Sequence, residues 1–247
     1  MIARSLRGLF LALSLLTTLP VRLATAQTAG EVGRAAVWFP LVGTLLGSLI
    51  WLAWAGAHRL WPPAVAAVLA LLLWIGLTGG LHLDGLADCG DALPAPVSRE
   101  RRLDILQDPR LGAFGALALI GVLLLKTTLL MALTPARGLA LVLATALARW
   151  CVLPLGLGRL ARSEGMAADF ALGLRPRHLV PAAVAPLLLA ASLGWRGAFA
   201  VLAGLAVTAG IVRLAHRRLG GVTGDVMGMT IELVETVVLL VAVGEIP

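Results

Sequence analysis

Three aspartates stand out in a chain that is otherwise almost entirely apolar, because their spacing places them on one side of a helix. Asp84, Asp88 and Asp91 follow each other at intervals of four and three residues, and at about 100° per residue their side chains fall within roughly 60° of one another. Carboxylates this close repel each other and lose hydration near a membrane. Mg²⁺ suits such a group because it takes oxygen ligands and leaves positions for water or phosphate. The spacing therefore predicts the metal-binding part of a phosphoryl-transfer site.

A second motif, Asp108-Pro109-Arg110, precedes a long apolar stretch. Pro109 ends the helix before it, which leaves Arg110 at the mouth of the next span. A guanidinium there can hold phosphate oxygens through two parallel hydrogen bonds. The alternative is an ordinary cytoplasmic loop whose charges pair with Arg99, Arg101 and Arg102. We predict that Asp108 and Arg110 bind substrate.

A third motif is a glycine-rich turn that leads into the last apolar stretch. Gly220, Gly221, Thr223 and Gly224 precede Asp225, so several backbone N–H groups at a helix N-terminus are available to phosphate. The turn is not a Walker motif, because no Gly-Lys-Ser/Thr follows. The alternative is a glycine-rich cap in which Asp225 is the N-cap residue.

Charged residues also occur inside the apolar stretches. Glu232 lies seven residues after Asp225, close to the same helix face, and Glu235 follows three residues later. Intramembrane acids are candidates for function, so we predict that Glu232 binds substrate. Lys126, the only lysine, and Arg149 lie in apolar sequence as well; either salt bridges to these glutamates or substrate contacts would satisfy them.

Composition identifies the elements that must position these motifs. The 247 residues have a mean hydropathy of +0.96, and 13% are charged against 60% apolar, which a soluble domain could not hide behind a charged surface. Stretches near the ~20 apolar residues that cross a bilayer predict an all-α, polytopic transmembrane helical bundle, with residues 1–247 as a single integral-membrane catalytic domain. The seven predicted spans are 36–57, 62–80, 111–133, 138–157, 179–194, 197–214 and 226–244.

The N-terminal segment admits two interpretations. Arg4 and Arg7, the apolar residues 8–20 and then Ala24-Thr25-Ala26 imitate a secretory signal peptide with a cleavage site. We expect instead a retained, short, interfacial or re-entrant segment, because the rest of the chain is itself inserted in the membrane.

The arginines predict the orientation. If all seven stretches cross, one side receives Arg59, Arg137 and Arg196. The other side receives thirteen: Arg22, Arg34, Arg99, Arg101, Arg102, Arg110, Arg159, Arg162, Arg175, Arg177, Arg213, Arg217 and Arg218. The positive-inside rule makes the richer side, which also carries the acidic and glycine-rich motifs, cytoplasmic. Topology thus explains the net charge of +7, and no basic run interleaved with aromatic residues indicates nucleic acid.

Taken in order, these motifs resemble the cobalamin synthase family, the adenosylcobinamide-GDP ribazoletransferases. The run Gly80-x-His82-x-Asp84-Gly85-Leu86-Ala87-Asp88 is the most specific part of the likeness. The remaining matches, which extend over essentially the whole chain, are Thr17-Thr18-Leu19-Pro20-Val21, Phe39-Pro40-Leu41-Val42-Gly43, Thr78 to Asp91, Asp108-x-Arg110-Leu111-Gly112-x-x-Gly115, and Gly220-Gly221-x-Thr223-Gly224-Asp225 with Glu232.

The resemblance implies the last assembly step of the cobalamin nucleotide loop. The ribose 3′-hydroxyl of α-ribazole, or of its 5′-phosphate, attacks the corrinoid-linked phosphorus of adenosylcobinamide-GDP. Adenosylcobalamin or its 5′-phosphate forms, and GMP leaves. The family also implies Mg²⁺ as cofactor and a multi-pass location in the bacterial inner membrane, in contact with lipid. The sequence leaves open whether the protein is a monomer or a homo-oligomer.

The predicted roles combine the residue chemistry with this resemblance. Mg²⁺ is expected on Asp84, Asp88 and Asp91, with Asp225 closing the site, and a second metal would stabilise both the attacking and the leaving oxygen. Phosphate is expected on Arg110 and on the backbone of residues 220–224. The general base is expected to be His82 or one of the aspartates, so we predict that His82, Asp84 and Asp88 are catalytic.

Two other classes share part of the pattern. CDP-alcohol phosphatidyltransferases also have Asp-Gly-x-x-Ala near a membrane face and release a nucleoside monophosphate. Here, however, Asp88 rather than arginine follows Ala87, and the later Gly-x-x-x-Asp-x-x-x-Asp pattern is missing. A polytopic transporter would carry acids on both faces, whereas this chain concentrates them on one.

Overall fold

The structure is a computed structural model that describes residues 2–21, 23 and 26–245, without the side chains of residues 2–5. This part of the chain forms a helical bundle without a strand, as predicted. Its α-helices are α1 (Ile2–Leu16), α2 (Glu31–Ala35), α3 (Phe39–Leu60), α4 (Pro63–Thr78), α5 (Leu81–Ala92), α6 (Arg99–Ile105), α7 (Ala113–Ala132), α8 (Leu139–Gly156), α9 (Met166–Gly173), α10 (Leu179–Ser192), α11 (Trp195–Arg218) and α12 (Gly224–Val243).

Five helical stretches of the described chain are long and apolar enough to cross a membrane. They are Glu31–Leu60, Ala113–Ala132, Pro135–Gly156, Trp195–Arg218 and Gly224–Val243. The helices α4 and α5 pass the same test only together, as a pair bent by 92°. With its 14 residues, α10 is about 21 Å long, short of the roughly 30 Å of hydrocarbon. By length and composition alone, the described chain gives five or six candidate spans against the seven predicted. The short α10 still runs between the two ends of the bundle, because Ser192 at the end of its last turn lines a cavity with Arg137 at the opposite end.

The bend between α4 and α5 is encoded by two glycines. Gly79 and Gly80 have φ angles of 64° and 71°, a left-handed conformation that costs other residues roughly 1–2 kcal/mol. Two such residues in succession end α4 and start α5 in a new direction. As predicted, the three aspartates then lie on one short helix.

Small residues bring α5 against α12. A Cβ atom on Gly85 would lie 2.8 Å from the carbonyl oxygen of Asp225, and one on Gly228 would lie 3.3 Å from that of His82. Only small residues permit such an approach of two backbones. This contact places the aspartates of α5 beside the N-terminus of α12.

The loops that carry the predicted motifs meet at one end of the bundle. The Asp91 carboxylate at the end of α5 accepts a hydrogen bond from Gly112 N, just before α7. Ala161, after α8, donates to the carbonyl of Val222, before α12, at 2.9 Å. Arg137 lies at the opposite end, where its guanidinium donates to a carbonyl near the end of α12.

The N-terminal segment is a short helix packed on the bundle. Its apolar part is Leu6–Leu16, and Arg7 pairs with Glu31 of α2. The buried side chains of α1 are Leu11, Ala12 and Leu16. Several residues of the alternative signal-peptide pattern lie outside the described residues, namely Ala24, Thr25 and the side chain of Arg4, as does Arg22 of the topology count.

Candidate active site

Three carboxylates gather where α5 meets α12. Asp84 is exposed, whereas Asp88 and Asp225 are half-buried, and the negative charges of Asp84, Asp225 and Asp91 all act on the Asp88 carboxylate. Among the described side chains, no lysine, arginine or histidine nitrogen lies within 4.0 Å of Asp84, Asp88 or Asp225. We call these three residues the acidic cluster. Its negative charge is left for a ligand to neutralise.

Asp91 makes different contacts from the other two aspartates of α5. Its two carboxylate oxygens accept hydrogen bonds from the backbone N–H groups of Gly112 and Gly115, each at 2.8 Å. These donors belong to the N-terminus of α7, where backbone N–H groups lack partners within the helix and a negative charge is stabilised. Asp91, predicted as a metal ligand, therefore uses both oxygens to cap α7.

The acidic cluster fits an oxygen-liganded cation that substrate completes. No group of three or more His, Cys, Asp or Glu side chains in the described part converges closely enough to hold a metal by itself. Mg²⁺ is usually bound by one or two carboxylates together with water and phosphate oxygens. Asp84, Asp88 and Asp225 are suitable donors for that arrangement. Thr223 orients one of them, because its hydroxyl donates to Asp225 Oδ2 at 3.1 Å.

Thr223, and not Asp225, is the N-cap residue of α12. Its side-chain oxygen accepts a hydrogen bond from Val226 N, so the alternative in which Asp225 caps the helix is wrong. Asp225 instead lies in the first turn, where the helix dipole favours a carboxylate. The N–H of Gly224 has no acceptor among the described residues, which leaves it available to a phosphate oxygen.

The glycine-rich turn is held against two other segments. Val222 donates to the carbonyl of Arg159 and accepts from Ala161 N, both at 2.9 Å. Gly220 has a φ of +76°, and the guanidinium of Arg99 occupies the space that its Cβ would need. Gly221 packs just as closely on backbone of the α8–α9 loop. The turn was predicted to bind phosphate; the structure adds Arg99, which sequence spacing gave no signal to place there.

His82 is buried beneath the acidic cluster. Only 4% of its surface is exposed, and its Nδ1 has no hydrogen-bond partner among the described residues. It lines a cavity together with Asp84 and Asp225. Of the predicted candidates for general base, His82 and Asp84 therefore line the cavity, whereas Asp88 does not.

The Asp108–Arg110 motif forms an exposed ion pair away from this cluster. Arg110 donates from Nε at 2.9 Å and from Nη2 at 2.6 Å to the two Asp108 oxygens. These bonds lower the pKa of Asp108 to about 2. The Arg110 side chain is 85% exposed. The alternative, a loop whose acids pair with Arg99, Arg101 and Arg102, holds for Asp104, which lies 3.6 Å from Arg101. Asp108 pairs with Arg110 instead, and neither of these two residues is among those lining the cavity.

Glu232 lies deeper, in a buried ion network in the middle of the bundle. Lys126 Nζ is 2.6 Å from a carboxylate oxygen of both Glu232 and Glu235, and Arg149 pairs with Glu235. The indole ring of Trp74 lies 4.4 Å from the ammonium. Two positive and two negative charges thus cancel. Of the two predicted outcomes for Lys126 and Arg149, the structure has salt bridges, and Glu232, predicted to bind substrate, contacts Lys126.

A cavity of about 280 Å³ opens beside the acidic cluster. Its polar lining includes His82, Asp84, Arg162, Glu164 and Asp225. Its apolar lining comes from several helices and includes Leu15, Leu16, Val32, Phe39, Val152, Phe170 and Ile231. Sequence reasoning missed Phe170 and Arg162, because an isolated phenylalanine or arginine in such a chain carries no spacing signal.

Comparison with known proteins agrees with the family resemblance seen in the sequence motifs. The family model for cobalamin-5-phosphate synthase matches residues 8–243. Three relatives carry the name adenosylcobinamide-GDP ribazoletransferase. The protein of Pseudomonas fluorescens Pf-5 is 40% identical over 239 residues (94% of this chain, 96% of that protein), and that of Pseudomonas putida F1 is 42% identical over 238 residues (94% and 96%). The protein of Herpetosiphon aurantiacus is 38% identical over 240 residues (93% of each chain). No solved structure matches. The coverage and identity show that this chain belongs to the cobalamin-5-phosphate synthase family.

Proposed function

We propose that this protein is a Mg²⁺-dependent adenosylcobinamide-GDP ribazoletransferase. The observation that carries the proposal is the acidic cluster, which lacks a cation from the described protein and lies between the glycine-rich turn and a cavity. Its position suits a pyrophosphate with bound metal. The relatives that share about 40% of the residues carry the name of this activity.

The reaction exchanges one phosphorus–oxygen bond for another. The 3′-oxygen of α-ribazole, or of its 5′-phosphate, forms a bond to the corrinoid-linked phosphorus of adenosylcobinamide-GDP. The bond from that phosphorus to the bridging oxygen of the pyrophosphate breaks, and GMP departs with this oxygen. The proton of the attacking hydroxyl passes to a base. Such a transfer depends on positioning and charge neutralisation more than on covalent help from the protein.

Each part of the site has a task in this proposal. Asp84, Asp88 and Asp225 would hold Mg²⁺, which when bound neutralises the pyrophosphate oxygens. The free N–H of Gly224, at the positive end of the α12 dipole, would donate to a phosphate oxygen. His82 is our candidate for the proton acceptor, because its side chain belongs to the cavity lining and its buried Nδ1 has no partner among the described residues.

We also infer that the site faces the cytoplasm from the bacterial inner membrane. The motif-bearing loops lie together at one end of the bundle, whereas Arg137 and Arg196 line a cavity at the other end. The arginine-rich loops, such as the one with Arg159 and Arg162, belong to the motif end, which the positive-inside rule assigns to the cytoplasm. This orientation gives the site access to nucleotides and Mg²⁺.

The test is release of GMP by the purified protein in lipid. We expect release only when adenosylcobinamide-GDP, α-ribazole and Mg²⁺ are all present, with one cobalamin formed per GMP. Omission of each component in turn is the control. If folded protein releases no GMP in any lipid, the proposal fails in favour of another nucleotide-linked alcohol transfer at the same acidic site. Release without α-ribazole would indicate a hydrolase.

A further inference from the structure

We propose that the apolar end of the cavity is an acceptor pocket, which holds the flat, apolar base of the acceptor nucleoside against Phe170. The inference rests on the proposed function and adds which part of which substrate this cavity selects. It also names a specificity residue, Phe170, that lies far from the acidic motif in sequence.

The polar and aromatic residues of the cavity lining come from different helices, namely α5 and α12 for His82, Asp84 and Asp225, and α3 and α9 for Phe39 and Phe170. Other apolar side chains complete the lining. A benzimidazole-type nucleoside such as α-ribazole is divided in the same way, into an apolar aromatic base and a hydroxylated ribose. With the base on the apolar wall, the ribose hydroxyls point toward the carboxylates and the free imidazole nitrogen, where the attacking oxygen is needed.

Size and polarity argue against the donor as occupant. At about 280 Å³ the cavity is at the lower limit of ligand pockets, which span roughly 300–1,000 Å³, and a corrin ring with its side chains is far too large for it. The guanine of the donor carries hydrogen-bonding groups along its edges. Beside Leu16, Val32 and Ile231, any of these groups that does not reach Arg162 or Glu164 would lack a partner, which is costly. An apolar base has no such requirement.

Several contacts hold Phe170 in place in the cavity wall. Its ring stacks on Phe39 with a centroid distance of 5.8 Å and an interplanar angle of 21°. The carboxylate of Asp169, the preceding residue, accepts a hydrogen bond from Gly30 N at 2.6 Å. Gly33 of α2 packs directly on the Phe170 carbonyl, where a Cβ would overlap it. These contacts fix α9 to α2, and the small accessible part of Phe170, which is 4% exposed, belongs to the cavity wall.

A lipid acyl chain is the other apolar occupant that a membrane offers. It would fill the apolar end but would not use Arg162, Asp84 or Asp225 at the polar end. A nucleoside uses both ends, which is why the geometry favours it.

The experiment compares two Michaelis constants in the same variant. Phe170→Leu and Phe170→Ala should raise the KM for α-ribazole, by about tenfold for the alanine variant, and leave the KM for adenosylcobinamide-GDP within twofold. Ala167→Phe, which adds volume from a half-buried position in the lining, should act in the same direction. The matched control is Phe114→Leu on the exposed face of α7, with neither constant changed. Because KM does not depend on the fraction of folded enzyme, a loss of yield does not obscure the result.

Three results would overturn the proposal. An unchanged KM for α-ribazole in Phe170→Ala and Ala167→Phe would show that the base lies elsewhere. A rise confined to the KM for adenosylcobinamide-GDP would assign the cavity to the donor. If Phe170→Ala instead lowers activity, added phospholipid restores it and both substrate KM values are unchanged, the cavity would be assigned to an acyl chain. Turnover by the wild-type protein separates the two proposals. If the wild type makes cobalamin, the proposed function is right and the variants test only the acceptor pocket. If it does not, both the proposed function and the acceptor pocket are wrong.

Discussion

The molecule contains two groups of acidic side chains, and they differ in how their charge is balanced. In the buried ion network, Glu232 and Glu235 are matched by Lys126 and Arg149. In the acidic cluster at the end of the bundle, no described cationic side chain lies within salt-bridge distance of Asp84, Asp88 or Asp225. Both groups are unusual in so apolar a chain, yet only the second has charge left over.

Under the proposed function, this difference separates a structural role from a functional one. A buried carboxylate that has a cationic partner links helices, here α7, α8 and α12, and needs no ligand to neutralise its charge. Carboxylates without a cation remain costly until a ligand arrives. Depth in the membrane alone does not distinguish the two roles, because the deeper acids, Glu232 and Glu235, are the ones that have cationic partners.

The largest effect is expected from breaking the buried ion network. Glu235→Gln leaves Arg149 without its carboxylate partner, and removal of one member of a buried pair costs about 3–5 kcal/mol. The unfolding free energy in an SDS titration should fall by that amount. GMP release per folded molecule should change less than the stability, since none of the four network residues lines the cavity.

A neutral double variant provides the control for this experiment. Lys126→Met with Glu232→Gln removes one charge of each sign and leaves the pair of Arg149 and Glu235 intact. Its stability loss should be clearly smaller than that of Glu235→Gln. If Glu232→Gln alone instead raises the KM for a substrate without loss of stability, Glu232 contacts substrate, as the sequence predicted. The assignment of a purely structural role to the buried ion network would then be wrong.

The second effect concerns the acidic cluster. Asp84→Asn should lower kcat about 100-fold, a typical loss when one group that stabilises transition-state charge is removed. The Mg²⁺ concentration for half-maximal activity should rise, and stability should be unchanged because Asp84 is exposed. Asp104→Asn is the matched control: its side chain is 63% exposed and pairs only loosely, at 3.6 Å, with Arg101. Wild-type turnover in Asp84→Asn would exclude Asp84 from the site.

The sequence predicted those features that depend on neighbours along the chain. Helical spacing placed Asp84, Asp88 and Asp91 on one helix, and the paired glycines before them do form a turn. Apolar stretches predicted the bundle and its helices, with boundaries that differ by a few residues, as at residues 179–194, where the helix ends at Ser192.

Features that depend on tertiary contacts could not be predicted in the same way. The partners of Lys126 lie more than 100 residues away, so the sequence gave the candidates but not the pairing. Helical spacing treats Asp84 and Asp91 as equivalent, and only the position of α7 distinguishes them. Phe170 enters the cavity because Gly30 and Gly33 let α9 approach α2, a contact without a local signature.

Asp91 offers an intermediate test, because it shares the helix but not the role of the acidic cluster. Asp91→Ala removes the acceptor for two N–H groups of α7 and should cost about 1–2 kcal/mol of unfolding free energy. Asp91→Asn keeps one acceptor oxygen and should cost less. The loss of kcat should stay well below that of Asp84→Asn. If Asp91→Ala keeps its stability and loses 100-fold in kcat, Asp91 is a metal ligand, as its spacing predicted.

The smallest effect is expected at the exposed pair of Asp108 and Arg110. Arg110→Ala should raise the KM for adenosylcobinamide-GDP by about threefold, as for an exposed charge that contacts substrate in solvent, with stability unchanged. The pKa of Asp108 is about 2 against an ordinary 3.8, so the pair is intact above about pH 4 and is lost only as the pH falls toward 2. The threefold change should therefore be the same at pH 6 and pH 8. If Arg110→Ala leaves the KM unchanged at both pH values, the pair only supports the loop structure. If the change in KM differs between pH 6 and pH 8, a titrating group other than Asp108 controls Arg110.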